Sequence, residues 1–201
     1  MKLSRGHWAL ILLTIGYLAV FTAYYISIRN FEFLWYVVVV VVFALLIAST
    51  LNASRLPVWL LSLLSLWGFL HMAGGGIKIG DHVLYSQILF PLINTGEWGI
   101  IKYDQMVHAF GFGVTAIVFY YLVGRKTGNM IPPLWLGLLA VSVSMGMGAL
   151  NEIIEFIATT IVPSTGVGGY ANTSLDLVAN LIGASIATVL YVALQKIKRP
   201  A

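Results

Sequence analysis

With 201 residues, 60% of them hydrophobic, 9% charged and a mean hydropathy of +0.94, this chain takes the bilayer rather than water as its solvent, as one integral membrane domain over residues 1–201. The formal charge of +4 would suggest nucleic acid in a soluble protein. Here it is spread over the connections and reports topology, so no nucleic-acid partner is expected. Cys is absent, which excludes disulfides, thiolate metal ligands and a cysteine nucleophile.

The start, Met1-Lys2-Leu3-Ser4-Arg5, is basic like that of a signal peptide. The apolar run behind it, Trp8–Ile28, is longer than a signal segment and ends without a small-x-small cleavage pattern, so it is expected to stay as a first span. Five more runs approach the length that crosses hydrocarbon: Phe33–Leu51, Val58–Met72 after Pro57, Gln105–Val123, Leu134–Ile161 after Pro132-Pro133, and Leu175–Leu194. The expected fold is an all-α, six-helix transmembrane bundle. The β-branched run Val37–Val42 opposes a helix only weakly, and lipid leaves its backbone no other partner. Gly146 and Gly148, with Ser142 and Ser144, are expected to allow close packing of the fifth helix. Trp8, Trp35 and Trp98 read as interfacial belt residues rather than a cofactor box, and no organic cofactor is implied.

With both termini in the cytoplasm of a multi-pass cell-membrane protein, the inner segments hold Lys2, Arg5, Arg55, Arg125, Lys126, Lys196, Lys198 and Arg199. The outer ones hold Arg29, Lys78 and Lys102. That asymmetry fixes the expected orientation. The longest connection, Ala73 to Tyr103, then lies outside. It carries Gly74-Gly75-Gly76, Asp81-His82 and an apolar stretch, Val83–Ile93 with Pro91, suited to the interface or to re-entry between helices. The other outer loop, Ile161 to Ser174, contains Pro163, Gly166, Gly168 and Gly169 and no basic residue. Thr173 or Ser174 is placed to cap the last helix.

The acids are Glu32, Asp81, Glu97, Asp104, Glu152, Glu155 and Asp176. Glu32 and Glu97 fall in outer connections, where solvation is sufficient explanation. Asp104 and His108, four apart at the start of the fourth span, share one helix face. Asp104 also suits a helix N-terminus and His108 a hydrogen-bonded interior position. Asn151, Glu152 and Glu155 share a face in the outer half of the fifth span, where two carboxylates are costly unless a cation or donors lie between them. A protonated pair holding helices together is the plainer alternative. Asp176 and Asn180 repeat the i,i+4 spacing at the start of the sixth span, with Gly183 further along the stripe. His71 ends the third span, at ligand depth or at headgroup level. Two imidazoles with several carboxylates form a donor set for Zn²⁺, Mn²⁺ or Fe²⁺. In this reading His71, Asp104, His108 and Asp176 hold the ion, Glu152 and Glu155 move protons, and Asn151, Asn180 and Tyr103 orient the ligands.

These segments carry a resemblance. His71-Met72-Ala73-Gly74, Pro91-Leu92, Tyr103-Asp104-x3-His108-x2-Gly111, Asn151-Glu152-x2-Glu155 and Asp176-x3-Asn180-x2-Gly183-Ala184 resemble the YjdF-like family of bacterial inner-membrane proteins. More distantly they resemble the VanZ-like family linked to glycopeptide resistance. The likeness covers about His71 to Ala184. YjdF-like members usually carry a Gly-Asp-x2-Asp stretch before the last span, where this chain has Tyr170-Ala171-Asn172-Thr173-Ser174-Leu175-Asp176. Asp176-x3-Asn180 is closer to the VanZ-like pattern. The resemblance implies a six-span helical membrane protein without naming a reaction.

Three functions follow from the residues. The first is a metal-dependent hydrolase or transferase acting on a lipid or cell-envelope substrate that enters laterally beneath the long outer loop. The second is a proton- or ion-coupled transporter using the membrane carboxylates as a relay. It lacks matching polar residues in the inner half of the bundle and a visible inverted repeat. The third is a structural or accessory membrane protein whose polar cluster fixes helix packing.

Overall fold

The computed structural model describes residues 3–90, 94–95, 98–99, 101–161 and 168–198. Six helices cross the bundle: α1 (Arg5–Ser27), α2 (Phe31–Ser54), α3 (Val58–Gly76), α4 (Tyr103–Lys126), α5 (Pro133–Ile161) and α6 (Tyr170–Lys198). All six are long and apolar enough to span a membrane. The all-α expectation therefore holds, with two small additions in the α3–α4 connection. Strands β1 (Lys78–Ile79) and β2 (His82–Val83) pair antiparallel around Gly80, and β3 (Asn94–Thr95) pairs with β4 (Trp98–Gly99). Gly80 sits at φ +61, a left-handed turn position that costs glycine little.

Hydropathy located the spans but misplaced several ends. α3 runs past Met72 to Gly76, so the three glycines are helical, and each makes room for an aromatic ring. A Cβ on Gly74 would stand 2.6 Å from the Tyr85 ring, one on Gly75 would overlap Phe33, and one on Gly76 would lie 2.9 Å from Phe21. α6 starts at Tyr170, five residues before the expected Leu175, which puts Thr173 and Ser174 inside the helix instead of at its cap. The Val83–Ile93 stretch is no re-entrant helix among the described residues. Val83 is in β2, Leu84–Ser86 is a 3₁₀ turn, Ile88 bridges to Lys102, and Leu89 and Phe90 are exposed. Pro91, Leu92, Ile93, Glu97, Pro163 and Gly166 lie outside the described residues, as does the side chain of Trp98.

The helices pack as two trios joined by α3 against α4. In the first, α1, α2 and α3 meet around Leu18, Tyr25, Phe33, Tyr36, Val37 and Met72. Its interhelical hydrogen bonds include Thr14 Oγ1 with Ser65 Oγ (2.7 Å), Tyr17 OH to Ser65 O (3.1 Å) and Tyr25 OH to Met72 O. In the second, α4, α5 and α6 pack closely on small residues. A Cβ on Gly183 would overlap the Ala109 backbone, and one on Gly113 would stand 3.0 Å from Gly183 O. Ser144 Oγ donates to Phe112 O at 2.6 Å, tying α5 to α4. Of the four expected packing residues on α5, Ser144 and Gly148 are buried inward, while Ser142 and Gly146 face outward. Trp8 is exposed, whereas Trp35, also expected in the belt, packs against the first core.

Candidate functional site

Chain direction sets the site. α4 and α6 start, and α5 ends, at the end of the bundle that carries the α3–α4 connection. Asp104 and His108, Glu152 and Glu155, and Asp176 and Asn180 are therefore brought to a common depth. Asn180 lies ten residues into α6, about 15 Å from its start, and Glu152 nine residues from the end of α5, about 14 Å.

At the start of α4 the Gln105 side chain accepts the backbone N–H groups of Ile101 (2.6 Å) and Lys102 (3.0 Å). Gln105 thus does the capping that Asp104 was placed to do, and Asp104 is freed to face inward. One turn on, the His108 imidazole is the hub, and only 4% of His108 is exposed. Its Nε2 lies 3.7 Å from Asp104 Oδ1 and 3.9 Å from Glu155 Oε1; its Nδ1 lies 3.8 Å from Glu152 Oε1. Nδ1 is also 3.1 Å from Asn180 Oδ1. With that oxygen as acceptor, Nδ1 is the donor of this hydrogen bond, and Nε2 faces Asp104 and Glu155. Gly148 leaves the space on α5 that Asn180 occupies.

Asn172 completes the α6 stripe. Its Nδ2 donates to Asp176 Oδ2 at 2.6 Å and to Asp104 Oδ2 at 3.3 Å, joining two carboxylates that would otherwise repel. On α5, Asn151 Nδ2 donates to Glu155 Oε1 at 2.8 Å. Asp104, His108 and Asp176 each offer a ligand atom within 4.8 Å of the others, and so do His108, Glu152 and Glu155. Four carboxylates thus surround one imidazole in a place where an unpaired charge is costly. The donors present do not cover them. Thr173 and Asn151 lie close enough to lend Glu152 side-chain hydrogen bonds, though with poor geometry, and Asp176 Oδ1 is buried without a hydrogen-bond partner among the described residues. Such a cluster is neutralised either by protons or by a cation.

Of the expected site residues, His71 stands apart. Its Nδ1 is hydrogen-bonded to the Tyr85 hydroxyl, and it belongs to neither group of converging ligand atoms. Phe33, Tyr36 and Tyr85 enclose its ring, with Tyr36 edge-on at a centroid distance of 5.2 Å. Burial, followed by the nearby Asp104 and Glu155 carboxylates, pushes the Tyr85 phenol above its ordinary range, so it remains a hydrogen-bond donor. Tyr103 packs on Tyr85 and donates to Leu70 O at 3.0 Å rather than to the carboxylate cluster.

Two contributors were missed. Asn172 was legible as the residue one helical turn before Asp176, had the helix been started early enough. Tyr85 gave no local signal, because its place follows from the hairpin folding back over Gly74.

The family model described as a predicted membrane protein family, DUF2238, matches residues 9–197. The chain belongs to this family. It is the family that the YjdF-like proteins form, so the first resemblance is upheld, while the VanZ-like one gains no support from the match. No curated protein and no solved structure matches the chain.

Proposed function

We propose that this DUF2238 membrane protein is a divalent-metal-dependent hydrolase or transferase acting on a lipid or other cell-envelope substrate. The reading rests on one observation: ligand atoms of Asp104, His108 and Asp176 converge within 4.8 Å of one another, with Asp176 Oδ1 buried and unpartnered among the described residues. An orphaned carboxylate oxygen beside an oriented histidine fits a cation site better than a proton-sharing cluster, which would pair its oxygens with one another. One imidazole among several carboxylates favours Mn²⁺ or Fe²⁺ over Zn²⁺.

In this reading Asp104, His108 and Asp176 hold the ion, Asn180 fixes the imidazole and Asn172 spaces the two aspartates. Glu152 and Glu155 face the same imidazole from α5, where one can take a proton from the attacking hydroxyl or water and return it to the leaving oxygen. The ion, when bound, lowers the pKa of water and polarises an ester or phosphoester. His71 is left out of the ligand set because it belongs to neither group of converging ligand atoms. The excess of Lys and Arg at the opposite end supports cytoplasmic termini and a centre that opens outward.

The test is elemental analysis of protein purified without chelators, coupled to product analysis after incubation with an envelope lipid extract. The expected result is about one Mn or Fe per chain, as a three-ligand site implies, and lipid turnover that His108→Ala abolishes. Protein that is folded yet free of stoichiometric metal removes the proposal. If metal is present but envelope lipids are unchanged, the centre stands and the enzymatic part fails.

A further inference from the structure

One cavity lies away from the carboxylate cluster. About 960 Å³ in volume, it lies at the other end of the bundle between the start of α3 and the last turns of α4 and α6. Trp59, Tyr120 and Tyr191 form one wall, with Tyr191 6.3 Å from Trp59 and 5.6 Å from Tyr120 between ring centroids. Ile117 and Leu190 line its apolar part, while Arg125, Asn129 and Gln195 stand at its polar end. From Arg125 to Ile117 the cavity runs eight residues along α4, about 12 Å into the hydrocarbon. A smaller cavity of about 200 Å³ adjoins it and shares Tyr120, Asn129 and Gln195.

Charge identifies the occupant. Arg5, Arg55, Arg125 and Lys126 belong to segments at this end, and among the described residues no acid does. The side chain at the cavity mouth is tied down. Arg125 Nη1 donates to Ser54 O at 3.0 Å, and the neighbouring Tyr121 hydroxyl donates to Arg55 O at 3.1 Å. These bonds fix the C-terminus of α2 beside Arg125 and leave most of the guanidinium's five N–H groups for an anion. An apolar, aromatic-walled hollow that opens beneath a held guanidinium, in a basic region without acids, matches an acyl chain below a phosphate.

We infer that the cavity between α3, α4 and α6 is a binding site for an acidic phospholipid, with its phosphate at Arg125 and an acyl chain along Tyr120, Tyr191 and Leu190. The site is independent of the carboxylate cluster and of the reaction proposed there.

The test uses the full chain in neutral detergent, loaded with equimolar phosphatidylglycerol and phosphatidylcholine of identical chains, with retained lipid counted by native mass spectrometry. A preference of about fivefold for phosphatidylglycerol is expected: both lipids carry the phosphate, but the choline cation of phosphatidylcholine offsets its charge beside Arg125, a difference worth about one basic contact at a membrane surface. Arg125→Gln abolishes the preference. Leu190→Trp, at a position 58% exposed where the larger ring is accommodated, lowers retention of both lipids. Inorganic phosphate does not displace the lipid. Equal retention of the two lipids, a preference that survives Arg125→Gln, or displacement by phosphate alone overturns the inference.

Discussion

The two ends of this bundle handle charge in opposite ways. At one end carboxylates are drawn inward around a single imidazole, in a space that glycines on α5 and α6 keep tightly closed. At the other, cations remain at the surface and the helices part to leave an open cavity. The first arrangement suits something small and positive, a proton or a cation, in a crowded interior; the second suits something large and negative arriving from the surrounding lipid. Burial teaches more than charge here. The same excess of polar groups marks a centre where it is enclosed and a surface contact where it is not.

The strongest way to break this contrast is to open the closed end. Gly183→Val forces a side chain into the Ala109 backbone and is expected to cost about 3 kcal/mol or more, since overpacked helix crossings have no soft neighbour to move. It should appear as aggregation in fluorescence-detected size exclusion. Gly146→Val, on a face with open space, should elute unchanged. Next comes removal of the hub. His108→Ala or Asp104→Asn should cut bound metal to less than about a tenth of wild type by elemental analysis, whereas Arg125→Gln should leave it intact, separating the two ends. Asn180→Ala, which releases only the imidazole's partner, should weaken metal affinity by about 10- to 100-fold in a competitive chelator titration. The smallest effect is expected from Tyr85→Phe. It keeps the ring over Gly74 and loses the bond to His71, costing about 1 kcal/mol in thermal unfolding. Because the phenol's pKa is raised, that loss should be the same at neutral and mildly alkaline pH.

Six spans and three polar pairs were legible in the sequence because both depend on local spacing. Asp104 with His108, Asn151 with Glu155, and Asp176 with Asn180 are helical neighbours, and an apolar run dates the helix they sit on. What spacing does not carry is the partner chosen across the bundle. His71 has a ligand's residue type and a ligand's depth, but the hairpin delivers Tyr85 to it first. Gly74-Gly75-Gly76 reads as loop by composition, and it is helix because rings from α1, α2 and the hairpin need the missing side chains. Asn172 fell on the wrong side of a helix boundary set by hydropathy, since Tyr170 to Ser174 is too polar to register as membrane span. Ser142 and Gly146 carry the same packing signature as Ser144 and Gly148, and only the rotation of α5 tells the pairs apart.

The contact of Gly183 with the main chain of Ala109 also has a bearing on ion choice. Two helices that touch backbone to backbone cannot spread, so the separation of His108 from Asn180 behaves as a fixed gauge. In the metal-centre reading the three proposed ligands, Asp104, His108 and Asp176, all sit on these two helices, so the space they leave is set by that fixed spacing. Size discrimination would then be written in the α4–α6 crossing, and lengthening Asp104 or Asp176 to glutamate should change which metal is taken up before it changes whether one is.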